Sequence, residues 1–254
     1  MARGIDHVAW IARINDALAQ ELFVLHAQPI LELSSDRVVR HELLIRMRDT
    51  GAAGAGLIAP DRFLPTAEAF GLIERIDRWV IDQASELAAS GVPVGLNVSA
   101  RSIGDPRLVD HVESAILRTG ADPCRMAFEI TETALIGNDT SACAFGRRMR
   151  GLGCTIALDD FGTGYGGFTY LKQMQVDALK INAEFVTDIA RSPASRTVVR
   201  AIVGLARGFG LTTVAEGVED EQTLETVRGL GVEHAQGHHI SNPMPLPRVL
   251  AIVA

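Results

Sequence analysis

The feature that most constrains the fold of this chain is an alternation of short apolar runs with longer stretches of helical periodicity. It becomes regular from residue 94 onward. Short apolar strands that alternate with helices indicate parallel βα units. With about eight strands in total, the pattern predicts an α/β protein whose sheet closes into a (β/α) barrel. The strands predicted in this part of the chain are 94–98, 126–130, 155–158, 178–181, 212–215 and a stub at 234–237.

The first ninety residues are less regular. Residues 5–21 carry apolar side chains near helical spacing, which predicts an amphipathic helix. We therefore divide the chain into a lead-in helix, 1–20, and a barrel domain, 21–254. Two strands are predicted next, 23–30, which we expect Pro29 to end, and 38–46. A loop of small residues at 51–56 and helices at 60–71 and 73–89 complete this part.

Composition narrows the class of protein. Apolar residues make up 47% of the chain, enough for a sizeable core. The net charge of -7 argues against a broad surface for nucleic-acid polymers or anionic membranes. Three cysteines without CxxC spacing favour reduced thiols in a cytoplasmic protein, or in the cytoplasmic part of a larger, membrane-bound one. No apolar run reaches membrane-spanning length, and we expect no signal peptide.

Charged and amide residues recur in or just beyond these apolar strands, toward their C-terminal ends. Barrels of this type keep their active sites at that end. A single charged residue in a strand is usually a paired structural ion, but a packing role is hard to assign to a set spread over seven strands, since each buried charge needs a partner. The set comprises Glu42, Asn97, Glu129, Asp159, Asp160, Lys180, Glu216 and Gln236.

Asp159 and Asp160 follow an apolar run and precede a loop with glycines at 162, 164, 166 and 167. Side chains alternate across a strand, so the two carboxylates share a site only if the strand ends there and the backbone turns. We expect the glycines to permit that turn. Taken alone, the stretch is equally compatible with a solvated turn.

The charge balance of the set indicates its ligand. Five carboxylates face only Arg46 and Lys180 among the embedded cations. Oxygen ligands without clustered His or Cys favour Mg²⁺ or Mn²⁺ over zinc. Two such ions would leave the site slightly positive and suited to phosphate, and metal pairs about 4 Å apart serve phosphate-ester hydrolysis.

These residues carry a family resemblance. The motifs at 42–46, 97–100, 129–132, 159–164, 179–181, 215–219 and 236–237 resemble, in order, the signature of EAL domains, the cyclic di-GMP phosphodiesterases of bacterial second-messenger signalling. The resemblance extends over roughly residues 20–250. It implies a modified TIM (β/α)8 barrel with an antiparallel first strand, and hydrolysis of cyclic di-GMP to linear 5′-pGpG.

The resemblance also implies residue roles. One metal would be held by Glu42, Asn97, Glu129 and Asp159, and a second by Asp159, Asp160 and Glu216. Glu42, Lys180 and Glu216 would be catalytic, with Lys180 orienting the hydrolytic water or the scissile phosphate. Gln28, Arg46 and Gln236 would contact substrate. Glu132, Thr163 and Gly164 would belong to the loop control that links the metal site to a dimer interface.

Several residues depart from the family pattern. Asn182 stands where the family usually has Asp, which removes a negative charge beside the metals. Leu43 replaces the Ala of the family motif, and Ala27 replaces a usual Tyr. Gly166 and Gly167 replace a small polar pair, which predicts a more mobile control loop.

Alternatives and partners complete the predictions. A catalytically weak or inactive cyclic di-GMP receptor that signals through its dimer interface is the alternative to the enzyme. A glycosidase pair formed by Glu129 and Glu216 is a third reading. The resemblance implies a homodimer and an upstream sensory or diguanylate-cyclase-like domain. We expect Ca²⁺ to bind and inhibit, because its looser coordination mispositions the water.

Overall fold

In the computed structural model, which describes residues 7–50, 56–135, 139–163, 171 and 174–246, one sheet organises the chain. Its first two strands are long, and the strands that follow have seven residues or fewer. The strands are β1 (Phe23–Glu32), β2 (Arg37–Asp49), β3 (Gly56–Ile58), β4 (Val94–Asn97), β5 (Met126–Thr131), β6 (Thr155–Phe161), β7 (Ala178–Ile181), β8 (Thr212–Ala215), β9 (His234–Ala235) and β10 (Met244–Pro245).

Eight of these strands form a closed ring. The order β1-β9-β8-β7-β6-β5-β4-β2 is closed by direct pairing of β1 with β2. β1 is antiparallel to both of its ring neighbours, whereas the other neighbours in the ring run parallel. The α/β barrel and its antiparallel first strand are therefore confirmed. β3 and β10, which periodicity did not predict, are short antiparallel additions outside the ring.

Helices surround the barrel. They are α1 (His7–Ala19), α2 (Leu64–Ala69), α3 (Ile73–Ala89), α4 (Ala100–Ile103), α5 (Pro106–Thr119), α6 (Glu132–Leu135), α7 (Asp139–Leu152), α8 (Ala183–Val186), α9 (Pro193–Phe209) and α10 (Glu221–Leu230). Each longer helix buries one apolar stripe; in α9 it includes Val199, Ile202 and Val203. α1 packs Ile14 and Ala17 into the same core, so the lead-in helix is in contact with the barrel domain.

The prediction that Pro29 ends the first strand is wrong, since β1 continues to Glu32. Pro29 lies opposite His41, whose N–H donates to Pro93 O on the far side of β2. This pair is therefore a non-hydrogen-bonded one, and the Pro29 nitrogen faces away from β2. On that side, pairing with β10 stops at Ala27 and pairing with β9 begins only at Leu31. Proline is tolerated in a strand where no ladder hydrogen bond is lost.

The predicted end of the strand at 155–158 is also wrong, because β6 extends past Leu158 to Phe161. The other core strands agree with prediction to within a few residues. The predicted loop at 51–56 lies outside the described residues except for Gly56. Among the described residues, no helix is both long enough and apolar enough to cross a membrane.

Candidate functional site

The centre of the site is the ammonium group of Lys180 in β7. Its side chain extends toward the mouth of the barrel and is only 1% exposed. Nζ lies close to four carboxylates: 2.5 Å from Glu129 Oε2, 2.7 Å from Glu216 Oε1, and 3.2 Å from both Glu42 Oε2 and Asp159 Oδ1. Acidic groups from four different parts of the sheet therefore converge on one point.

Asp159 and Asp160 share this region because of a local backbone distortion. Asp160 adopts φ 55°, in the left-handed region, and the pairing of β6 with β7 shifts register between Leu158 and Phe161. Such an irregularity interrupts the alternation of side chains. Carboxylate oxygens of Asp159, Asp160 and Glu216 consequently lie within 4.8 Å of one another. The two aspartates share a site as predicted, but Asp160 itself makes the turn, within the strand and ahead of the glycines.

The electrostatics of the cluster show an excess of negative charge. Burial raises the pKa of Glu129 to about 8, and the neighbouring carboxylates Glu42 and Asp159 add to the rise despite the attraction of Lys180. Burial likewise raises the pKa of Glu216 to about 7, with Asp159 and Glu42 contributing. One ammonium therefore compensates only part of the charge that these carboxylates would carry when ionised.

Glu42 behaves differently from the other acids. Burial opposes its ionisation, but the charge of Lys180 and hydrogen bonds from Gln236 and Asn97 outweigh that effect and lower its pKa. Gln236 Nε2 donates to Glu42 Oε2 at 2.7 Å, and Asn97 Nδ2 donates to Glu42 Oε1 at 2.7 Å. Both oxygens of Glu42 are therefore fixed in position before any ligand binds.

A cavity of about 230 Å³ opens beside these carboxylates. Gln28 and Gln236 form part of its wall, and Gln236 Nε2 also donates to Gln28 Oε1 at 3.0 Å. Gln28 in turn donates to the carbonyl of Ser241. Because β1 runs antiparallel, Gln28 reaches the same end of the barrel as Glu42, its partner across the β1–β2 pair.

The remaining predicted residues surround this centre. Arg46 Nη1 donates to Ile45 O, and burial lowers the pKa of its guanidinium while Asp61 opposes that effect. Because Asp61 is not one of the clustered acids, Arg46 belongs to the rim. Glu132 Oε2 accepts from the backbone N–H of Gly162 at 3.2 Å, and Thr163 Oγ1 donates to Asp160 O at 3.1 Å. Gly164, Gly166 and Gly167 lie outside the described residues, as does most of the predicted helix at 168–174.

Asn182 contacts the site directly. Its Nδ2 donates to Asp160 Oδ1 at 2.6 Å, and its Oδ1 accepts from the backbone N–H of Glu184 as the N-cap of α8. The amide therefore ties the carboxylate of Asp160 to the start of a helix. An aspartate at this position could keep the cap but could not, when ionised, donate to Asp160.

Sequence reasoning missed two charged residues near the site, the buried Asp77 and the partly buried Arg40. Asp77 in α3 accepts hydrogen bonds from the backbone and the hydroxyl of Ser99, two residues beyond Asn97. Arg40 lies two residues before Glu42 on the same face of β2. In the sequence, Arg40 is a charged residue two positions before Glu42 in a predicted strand. It lies toward the opposite end of that strand from the expected site.

The residues present suit divalent metal ions. The donors are carboxylate and amide oxygens, which hard cations prefer. Three carboxylates that approach within 4.8 Å of one another repel unless a cation or protons intervene, and the raised pKa of Glu216 and Asp159 reflects this crowding together with burial. The described cluster is therefore one whose repulsion a divalent cation would relieve.

Comparison with known proteins gives concordant results. The cyclic di-GMP phosphodiesterase NbdA of Pseudomonas aeruginosa is 36% identical over 97% of this chain and 32% of its own length. The cyclic di-GMP phosphodiesterase PdeF of Escherichia coli K12 is 36% identical over 95% of the chain and 32% of its own length. The chain thus spans about a third of the length of these curated relatives.

Solved structures agree with the sequence comparison. The PaMucR phosphodiesterase in complex with c-di-GMP superposes with a TM-score of 0.88 at 32% identity, covering 95% of this chain and 99% of that one. The EAL enzyme Bd1971, in its form bound to cAMP and cyclic-di-GMP, gives 0.91 at 27% identity over 98% of this chain and 69% of that one. The family model for the EAL domain matches residues 11–243. This chain is therefore a member of the EAL domain family.

Proposed function

We propose that the chain is a metal-dependent phosphodiesterase that hydrolyses cyclic di-GMP to linear 5′-pGpG. The observation that carries the proposal is the convergence of four carboxylates on Lys180 at the mouth of the barrel. Relatives and solved structures named for this activity or this ligand support the choice of substrate.

We assign the metal ligands as the family resemblance implies. Glu42, Asn97, Glu129 and Asp159 would hold one ion, and Asp160 and Glu216 would share a second with Asp159. Mg²⁺ or Mn²⁺ bound there would supply a hydroxide nucleophile and stabilise charge on the phosphoryl oxygens. Asp159 is the natural shared ligand, because it contacts Lys180 and also belongs to the group of three close carboxylates.

The other residues would bind and orient the dinucleotide. Lys180 Nζ, fixed by its carboxylate partners, would orient the attacking water or the scissile phosphate. Gln28 and Gln236 would contact substrate from the cavity wall, and Arg46 would contact its phosphates from the rim. Hydrolysis of one ester bond, with a 3′ oxygen as the leaving group, gives the 5′-phosphate of the linear product.

Regulation and assembly belong to the same proposal. Glu132 accepts from the backbone N–H of Gly162, two residues beyond Asp160, which supports a role in controlling the loop that contains Thr163 and Gly164. We propose a homodimer coupled to the site through this loop. We also propose a cytoplasmic location, within a longer protein that carries a sensory or diguanylate-cyclase-like domain.

The proposal is tested with purified protein, cyclic di-GMP and a titration of Mg²⁺ or Mn²⁺. We expect linear 5′-pGpG in the presence of either metal and none in chelator. Glu42→Ala and Asp159→Ala should lower turnover at least about a hundredfold, since each removes a metal ligand and leaves the barrel folded.

The same assay separates the alternatives. If cyclic di-GMP stays intact with Mg²⁺ and with Mn²⁺, the enzymatic hypothesis is contradicted. Binding of cyclic di-GMP measured by calorimetry under those conditions would then identify a receptor. Turnover of a glycoside in strong chelator would favour the glycosidase reading of Glu129 and Glu216. Ca²⁺ should bind and compete with Mg²⁺ but support little turnover, because its coordination is larger and less rigid.

A further inference from the structure

Arg40 occupies an unusual place in the barrel. Its Nη2 donates to Thr155 Oγ1 at 3.2 Å. Arg40 is in β2 and Thr155 is in β6, and β4 and β5 separate these two strands in the ring. A side-chain contact between strands that are not neighbours must cross the interior of the barrel. The guanidinium therefore lies inside the barrel, on the side away from the metal ligands at its mouth.

The stem of Arg40 passes directly beneath Glu129. A Cβ atom placed on Gly95 of β4 would lie 2.2 Å from Glu129 Oε1 and 3.6 Å from Arg40 Cδ. The missing side chain of Gly95 is thus the space in which these two residues meet. Glu129 fills it with Oε1 while its Oε2 contacts Lys180. The Glu129 carboxylate therefore lies between the ammonium group of Lys180 and the aliphatic stem of Arg40.

The described contacts of Arg40 give its charge no other evident function. Burial lowers the pKa of its guanidinium, and Glu129 and Asp177 oppose that effect. Its Nε is buried without a hydrogen-bond partner among the described residues. Burying a cation with an unmade hydrogen bond costs free energy, so a compensating interaction with nearby carboxylates is expected.

Resting on the proposed function, we infer that Arg40 is a positioning residue that holds Glu129 in the orientation needed to bind metal, with Gly95 providing the space. Its guanidinium reaches Thr155, four residues before Asp159 in β6, which corresponds to roughly 13 Å along the strand. Glu129 lies between Arg40 and the other proposed metal ligands at the mouth, so attraction to Glu129 outweighs repulsion of a bound cation.

The inference is tested by calorimetry of Mn²⁺ binding to the intact protein without substrate. Arg40→Met keeps the length of the side chain and removes its charge, whereas Arg40→Lys keeps the charge. Arg37→Met is the matched control, because Arg37 is exposed on the same strand and the net charge changes equally. We expect about tenfold weaker Mn²⁺ binding in Arg40→Met, near-normal binding in Arg40→Lys, and no change in Arg37→Met.

Turnover provides a second readout. Saturating Mn²⁺ should restore kcat in Arg40→Met, and KM for cyclic di-GMP should stay unchanged, because Arg40 lies away from the cavity. Mn²⁺ affinity equal to that of Arg37→Met would overturn the inference. So would an Arg40→Lys variant as weak as Arg40→Met, since that result would mean that shape rather than charge matters.

Gly95→Ala keeps the inference testable if Arg40→Met fails to fold. The added methyl group would displace Glu129 Oε1, so Mn²⁺ should bind about tenfold more weakly while circular dichroism remains that of the parent. Unchanged affinity in Gly95→Ala would refute the role assigned to Glu129 orientation. If the parent protein itself binds no Mn²⁺, the proposed function fails as well, which separates that outcome from a failure of the inference alone.

Discussion

At the mouth of the barrel a single ammonium group faces four carboxylates. Lys180 is almost completely buried, which is costly for a lysine unless opposite charges surround it. Its partners hold its pKa well above the usual value even though burial acts in the opposite direction. Lys180 therefore stays charged at neutral pH and holds the acidic side chains together in the absence of metal.

Asn182→Asp tests the balance of charge at residue scale. Without metal, the ionised Asp would repel Asp160 instead of donating to it, at a cost of about 1 kcal/mol. With metal bound, the added negative charge should favour the ion beside Asp160. We expect a melting temperature about 2–4 °C lower in chelator, several-fold tighter Mn²⁺ binding, and preserved or higher kcat.

Thermal unfolding in chelator and Mn²⁺ calorimetry provide the measurements for this variant. Asn182→Ser serves as a control, because serine can keep the helix cap without adding charge. A sharp loss of turnover in Asn182→Asp would mean that this site depends on the amide itself.

At the scale of elements, the loop after β4 is held by a buried acid in α3. Asp77 is 6% exposed and accepts from the backbone N–H of Ser99 at 3.1 Å and from its hydroxyl at 2.7 Å. Burial raises the pKa of Asp77 to about 6, although hydrogen bonds from Ser102 and Ser99 partly offset the rise. This contact joins α3 to the segment that carries Asn97, so α3 helps to position a predicted metal ligand.

Asp77→Asn should stabilise the protein in a pH-dependent way. Because the pKa of Asp77 is higher in the folded state, the native protein binds more protons than the unfolded chain between about pH 4 and 6, and stability falls as pH rises through that window. Above it, the buried charge costs roughly 3 kcal/mol. Asparagine removes this cost and keeps an oxygen acceptor for Ser99.

We therefore expect the free energy of unfolding of Asp77→Asn to exceed that of the parent by more at pH 7.5 than at pH 5. Urea denaturation at both pH values measures the difference. Asp82→Asn in the same helix is the control, since Asp82 is partly exposed and pairs with Arg118 at the surface. A difference between Asp77→Asn and the parent that does not change with pH would contradict the assignment.

At the scale of the whole molecule, the site ties together strands from opposite sides of the ring. Its proposed ligands come from β2, β4, β5 and β6 and from the end of β8, so an ion bound there would crosslink elements that are far apart in sequence. Ligands that bind only the folded state stabilise it by mass action. Metal binding should therefore stabilise the entire barrel rather than a local segment.

Addition of Mn²⁺ at about a hundred times its dissociation constant should raise stability by about 2.7 kcal/mol and the melting temperature by several degrees. Ca²⁺ should raise the melting temperature as well while supporting little hydrolysis. Differential scanning fluorimetry with and without each metal measures this effect. Asp159→Ala should show little or no shift, and a full shift in that variant would argue that the ions bind elsewhere.

The sequence alone determined a large part of this description. Alternating apolar runs and helices predicted the barrel, and acids at strand ends predicted where its site lies, because parallel strands end at one mouth. The antiparallel first strand was predicted from the resemblance of the ordered motifs to EAL domains. Hydrophobic periodicity could not predict it, because periodicity reports which face of a strand is buried and not the direction in which the strand runs. The roles of individual ligands stay predictions for the experiments above.

Only the tertiary structure decided which side chains meet across the barrel. Sequence spacing reports which face of a strand a residue occupies, but the closure of the ring sets the distances between strands that are not neighbours. The partners of Lys180 and the path of Arg40 beneath Glu129 depend on that closure. The left-handed backbone of Asp160, which accompanies its approach to Asp159 and Glu216, was likewise not predictable from strand spacing.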